Sequence, residues 1–209
     1  MGERIIKGDT CVLEGAQWLA EYDSRFKRAI EEIGPLPLRL KEEGFAQLLN
    51  AIIGQQVSVA SANAIWARME GLNLTSEDGI ALASDEDLRA GGLSGQKMRY
   101  SRALAEARID YIALRDMPSD EVIKTLTQVT GIGQWTAEIY AMFSLGRADV
   151  FAHGDLALQE AAKDLLGLPE RPKEKQMREI AGDWSPWRSV AARVLWAYYR
   201  VVKSREGIR

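Results

Sequence analysis

Two groups of residues in this chain could do chemistry: the turn Gly131-Ile132-Gly133 and the carboxylate of Asp155. Around the turn, Leu126, Val129 and Ile132 are apolar at helical or near-helical spacing, and the small Ala137 suits a helix crossing. Two glycines about one apolar residue allow a tight turn with positive φ and let another backbone approach closely. A helix restarting near Gln134 would turn its free N–H groups and positive dipole end outward, which suits a phosphate. Such a contact grips a nucleic-acid strand without reading its sequence. Asp155 follows Ala137 by eighteen residues. One fixed carboxylate can stabilise positive charge developing on a sugar, and it can orient or deprotonate a water. Aspartate is also a common helix N-cap, and Leu156 opens an apolar run. The sequence leaves both roles open, and they are compatible.

The longer pattern from Leu126 to Ala137, apolar-x-x-apolar-x-Gly-apolar-Gly-x-x-x-Ala, resembles the helix-hairpin-helix motif. Three further segments stand in order with it: Phe45 to Ala60, Asp149 to Leu158, and Trp184 to Trp196. Together they resemble the helix-hairpin-helix DNA glycosylase superfamily, in its 3-methyladenine DNA glycosylase II (alkylation repair) branch. The resemblance implies an all-α fold: two helical lobes flanking a central DNA-binding cleft, without the β-rich N-terminal domain of longer relatives. Residues 1–209 would form one glycosylase domain. One lobe would come from about 1–34, 140–181 and 182–209, and the central one from about 35–139, including the hairpin at 126–137.

The same resemblance assigns roles to side chains. Asp155 is the catalytic carboxylate, and Asp149, the rival acid, takes a structural position. Trp135, Trp196 and Ile139 fall at base-pocket positions, with core packing as the other reading for both tryptophans. Ile139 replaces a tyrosine frequent in bacterial relatives, which leaves base selectivity open. Gln56, in the turn Gly54-Gln55-Gln56-Val57-Ser58, matches the residue inserted into the gap left by an extruded base; Gln55 reads as a helix-terminating residue. Gly131, Ile132, Gly133, Thr136 and Lys97 are the DNA-binding candidates, although Lys97 reads equally well as an exposed helix charge. Trp135 stands where bifunctional relatives place a Schiff-base lysine, so a monofunctional hydrolase that leaves an abasic site is expected. Its substrates would be alkylated purines such as 3-methyladenine and 7-methylguanine, whose positive charge suits an aromatic face. No cofactor is expected beyond a monovalent ion held by hairpin carbonyls such as those of Gln128 and Val129. Two other classes stay open: a binding module that would not need Asp155, and a glycosylase for a non-alkylated lesion.

Composition sets the outer bounds. Hydrophobic content of 46% and charged content of 27% suit a globular protein. One cysteine, Cys11, excludes an internal disulfide and any four-cysteine iron–sulfur cluster, and the single histidine argues against a Cys/His zinc site. The first ten residues lack a signal-peptide core, so a cytoplasmic monomer acting on damaged double-stranded DNA, with no membrane partner, is expected. A net charge of −3 argues mildly against a nucleic-acid partner, but the field that matters is local. From Pro186 to Arg209 there are six basic residues (Arg188, Arg193, Arg200, Lys203, Arg205, Arg209) against Glu206 alone. From Ser94 to Arg108 there are Lys97, Arg99, Arg102 and Arg108 against Glu106. Both runs suggest basic faces.

The elements that must position these residues read as helices almost throughout. Trp18, Tyr22, Phe26 and Ile30 at four-residue steps predict one amphipathic helix over Gln17 to Ile33, ended by Gly34-Pro35. Further helices are predicted over Phe45 to Ile53, from a Ser58 cap to Met69, after the Ser84/Asp87 capping box, over Ser94 to Ile109, and from Pro118 to about Val129. Gln134 to about Leu145, Asp155 to about Gly167, Pro172 to Ala181 and Pro186 to Lys203 complete the set. Arg4 to Leu13 admits a short sheet.

Overall fold

A computed structural model describes residues 3–206. Its helices are α1 (Asp9–Tyr22), α2 (Ser24–Ile33), α3 (Phe45–Gly54), α4 (Val59–Gly71), α5 (Glu77–Leu82), α6 (Asp85–Ala90), α7 (Gly95–Glu106), α8 (Ser119–Thr127), α9 (Gln134–Phe143), α10 (Leu156–Leu166), α11 (Glu174–Gly182) and α12 (Arg188–Glu206). Among the described residues the only β pairing is an isolated antiparallel bridge, Ile5 with Arg147. The sheet expected over Arg4 to Leu13 is therefore not formed. Two backbone bonds hold this stretch, Ile6 N–H to the Gly146 carbonyl and Ala148 N–H to that of Arg4, and α1 begins three residues later. No helix among the described residues is long and apolar enough to cross a membrane.

The chain divides into two compact units. Unit 1 comprises Met1–Leu40 and Ala141–Arg209, and unit 2 comprises Lys41–Tyr140. Unit 1 is built on α12, which packs against α1, α2 and α10. Val190, Ala191, Val194 and Leu195 of α12 are wholly buried. The close approach of α1 to α12 depends on Gly15, because a Cβ there would lie 2.7 Å from side-chain atoms of both Trp187 and Val190. The predicted single helix over Gln17 to Ile33 is two. Asp23 is extended (φ −143°, ψ 120°), and its carboxylate accepts the Arg25 N–H to cap α2. The aromatic steps misled because the buried face of α1 is Val12, Gly15, Ala16 and Leu19, while Trp18 and Tyr22 stack outside it.

Unit 2 centres on α3, whose Leu48, Leu49, Ile52 and Ile53 are fully buried. It packs against α4 and α7, and α7 in turn packs against α5 and α6. The predicted caps form: the Ser58 hydroxyl accepts the Ser61 N–H, and Ser84 and Asp87 make the reciprocal capping box. Each satisfies backbone donors that a helix start would otherwise leave open.

Candidate functional site

In unit 2, α8 ends at Thr127 and the chain turns through Gln128 to Gly133 before α9. Three apolar side chains pin the turn from beneath: Leu126, Val129 and Ile132 are all buried. The Val129 N–H bonds the Leu126 carbonyl, and the Ile132 N–H bonds the Val129 carbonyl at 3.0 Å. The two glycines do different work. Gly131 has φ +100°, and a Cβ on it would sit 2.3 Å from Cγ of Tyr100. Its hydrogen atom is what allows the turn to lie flat on α7. A Cβ on Gly133 would meet nothing within 4 Å, and the residue is exposed. The space there is open to a partner.

The turn after α3 is tied to this hairpin. Gln55 donates from Nε2 to the Gly131 carbonyl at 2.9 Å, a role its reading as a helix terminator did not foresee. Gln56, next to it, is exposed and left-handed (φ +57°). This conformation is costly for a residue with a Cβ and is a mark of functional turns. Lys97 is not the exposed helix charge that the sequence allowed. It is buried, and its Nζ donates to the Ile53 carbonyl at 2.6 Å, in the last turn of α3. A cation suits that negative helix end. Burial holds its ammonium below the usual lysine range. Gln55, Gln56, Ser94, Gln96 and Lys97 thus surround a hollow of about 240 Å³.

On α9, Trp135 is 48% exposed, Thr136 and Ala137 are buried, and Ile139 is half-buried. Tyr140 is buried and accepts the Gly44 N–H on its hydroxyl at 2.8 Å. Burial holds that hydroxyl above the usual tyrosine range, so its proton stays in place. Much of the basic face expected over Ser94 to Arg108 is neutralised. Beyond the buried Lys97, Arg102 pairs with Asp85 at 2.8 Å, and Arg108 with Asp78 and Glu77.

Asp155 and Trp196 belong to unit 1. Asp155 is the N-cap of α10: its Oδ1 accepts the Leu158 N–H at 3.0 Å. The preceding backbone is pinned at both ends. The Asp155 N–H bonds the Ala152 carbonyl, and Gln159 Nε2 donates to the His153 carbonyl at 2.8 Å. Phe151 and Ala152 fill the core beneath. The half-buried carboxylate is therefore held by a rigid strap and a helix start. Asp149 is committed elsewhere, in a bidentate pair with Arg188 (2.7 and 2.9 Å), and it also accepts the Ser185 hydroxyl. Asp149 thus ties the start of α12 to the strap before α10. Trp196 is half-buried on α12, its ring 5.7 Å from that of Phe143. Two cations of the C-terminal basic run are spent inside the fold, Arg188 on Asp149 and Arg193 by burial; Arg209 lies outside the described residues.

Among the described residues no group of three His, Cys, Asp or Glu side chains could hold a metal ion. The chain matches the HhH-GPD superfamily base excision DNA repair protein family over residues 49–186. It is 29% identical over 203 residues to DNA-3-methyladenine glycosylase 1 of Schizosaccharomyces pombe, covering 91% of this chain and 89% of that one. Its fold superposes on a crystal structure of DNA-3-methyladenine glycosidase from Bacillus halodurans with a TM-score of 0.82, at 34% identity over 98% of this chain and 95% of that one. It also superposes on the Schizosaccharomyces pombe 3-methyladenine DNA glycosylase in complex with abasic DNA, with a TM-score of 0.76, at 30% identity over 88% and 95% of the two chains. With its all-helical architecture and a two-glycine hairpin at residues 128–133, this chain belongs to the HhH-GPD superfamily of base excision DNA repair proteins.

Proposed function

We propose that the protein is a monofunctional DNA glycosylase that hydrolyses the N-glycosidic bond of alkylated purines in double-stranded DNA. The observation that carries this reading is Asp155, a single carboxylate fixed at a helix start in a chain that also keeps an open hairpin glycine, Gly133. The curated relative and the solved structures just described are 3-methyladenine glycosylases by name.

In this reading the hairpin amides around Gly133 hold a backbone phosphate. Gln56 enters the gap left when the damaged base is extruded. Trp135 and Trp196 offer aromatic faces to a base that carries positive charge. The bond from the sugar C1′ to the base nitrogen breaks, and its electron pair leaves with the base. A cationic alkylated purine departs neutral, so no acid need protonate it. The carboxylate of Asp155 stabilises the positive charge left on the sugar. It then accepts a proton from the water whose oxygen bonds to C1′, leaving an abasic site. Trp135 has no amine with which to form a Schiff base, so the strand stays intact.

The carbonyls of Gln128 and Val129 would hold a monovalent ion. They are hard oxygen donors, and Val129 keeps a lone pair beyond its bond from Ile132. Such an ion would add positive charge to the hairpin turn.

Incubation with methylated genomic DNA, followed by chromatography of the freed purines, tests the reading. Release of 3-methyladenine or 7-methylguanine is expected, with no adduct trapped by borohydride. DNA binding without release of any purine would make the protein a binding module, and a trapped adduct would make it a lyase.

A further inference from the structure

Among the described residues, unit 1 holds three arginines with no carboxylate in an ion pair with them. Arg193 is 1% exposed. Its Nε and Nη2 donate to the Leu38 carbonyl at 3.2 and 3.0 Å. Its Nη1 donates to the carbonyl and hydroxyl oxygens of Ser189, and the guanidinium lies 4.7 Å from the Phe143 ring centre. Every one of these partners is neutral. Burial, with Arg39 nearby, pulls Arg193 down to about 10.

The grip on Leu38 fixes the residue after it. Arg39 has φ +56° and is exposed. A left-handed arginine is a strained choice, and its guanidinium is near enough to α12 for its charge to be felt at Arg193. Arg200 supplies the third. It lies seven residues beyond Arg193, two turns along the same face of α12, and it is exposed and close enough to Arg39 to repel it. Among the described residues neither Arg39 nor Arg200 forms an ion pair. Trp196 stands between Arg193 and Arg200 on that face, three residues after one and four before the other.

A folded chain does not gather three cations, one of them buried, for stability. An anion would relieve the repulsion, and planar guanidinium forks suit phosphate oxygens. We infer that Arg39 and Arg200, held in place by the Arg193 grip on Leu38, form a second phosphate site that takes a DNA backbone phosphate next to the nucleotide extruded toward Trp196. This rests on the proposed function. It adds a grip in unit 1 that is separate from the hairpin, and it makes Arg193 a positioning residue rather than a DNA contact.

The test is fluorescence anisotropy of the full chain on a duplex with one tetrahydrofuran abasic site, over a range of salt concentrations. Arg39→Gln and Arg200→Gln should each weaken binding several-fold and flatten the plot of log K against log salt, by about 0.9 for a lost phosphate contact. Arg39→Lys and Arg200→Lys should restore the slope more fully than the affinity. Methylphosphonate substitution of single phosphates around the abasic site should find one position where wild type loses affinity and Arg200→Gln loses no more. Gly133→Ala should still feel that substitution. Unchanged slopes in the glutamine variants, with wild type binding normally, overturn the phosphate site alone. So does an unchanged slope with altered preference among released bases, which would make Arg200 a base contact. Failure of wild type to bind the duplex overturns the functional reading and this one together.

Discussion

Two helix starts in this protein are built on opposite plans. α10 opens with its own acid: Asp155 turns a carboxylate onto the Leu158 N–H. α9 opens behind Gly133, a residue with no side chain and open space around it. Both starts carry the positive end of a helix dipole. At α10 a built-in negative charge answers that end, so a phosphate would be repelled there, whereas the sugar cation of the proposed reaction would be stabilised. At α9 the residue before the helix brings no charge of its own and leaves open space, which in the proposed reading admits an outside anion. The difference teaches why a repair glycosylase needs both. In the proposed reading the same backbone feature serves as a grip where glycine precedes it and as a mount for a reactive carboxylate where an aspartate caps it.

The sharpest way to break that comparison is to neutralise the filled start. Asp155→Asn keeps a side chain that caps almost as well, so thermal stability should move little and duplex binding should persist. Base release should fall by about 10²-fold or more, the scale on which loss of one preorganised electrostatic group acts. Asp149→Asn should do the converse. It breaks the pair with Arg188, so it should lower the melting temperature while release per folded molecule stays close to wild type. Near-normal release in Asp155→Asn, measured as freed purine per minute under single turnover, would leave Asp155 a cap and nothing more.

The next test splits the two glycines of the bare start. Gly131→Ala forces a side chain onto a backbone with φ +100° and against Tyr100. It should cost about 2 kcal/mol or more in a denaturation midpoint. Gly133→Ala meets no neighbour and should leave stability unchanged. Its methyl group would stand where a strand approaches, so duplex affinity should drop and the salt slope should flatten by about 0.9. If both variants bind like wild type at all salt concentrations, the bare start is not the grip.

Much of this division was legible in the sequence, and its limits have physical causes. Helix starts showed themselves through local chemistry. Ser58, the Ser84/Asp87 box and Asp155 each act on a backbone N–H within three residues. Gly131 and Gly133 were recognisable as a pair, but only contacts could separate the one pressed on Tyr100 from the one left open. The break at Asp23 was hidden because the aromatic steps run straight across it, although the buried face of α1 follows a different stripe. The part played by Gln55 was hidden too, since its partner Gly131 lies 76 residues away. Charge misled most. Lys97, Arg102, Arg108, Arg188 and Arg193 count as basic surface in a sequence, yet each is buried or paired. Counting cannot distinguish a cation spent inside the fold from one left for DNA.

Lys97 gives the smallest and most discriminating test of that distinction. Its Nζ caps the last turn of α3 from within, 2.6 Å from the Ile53 carbonyl. Lys97→Met keeps the length of the stem and removes the charge together with the desolvation that opposes it. The Ile53 carbonyl loses one donor, worth about 1 kcal/mol in a typical case, and the relief from burying a cation offsets part of that. A stability change of less than about 1 kcal/mol follows, in contrast to Gly131→Ala. Because the ammonium faces a carbonyl rather than solvent, the salt slope of duplex binding should equal that of wild type, in contrast to Gly133→Ala. A flattened slope with unchanged stability would mean that Lys97 leaves the Ile53 carbonyl to meet a phosphate, and would move it from the support of the turn to the grip itself.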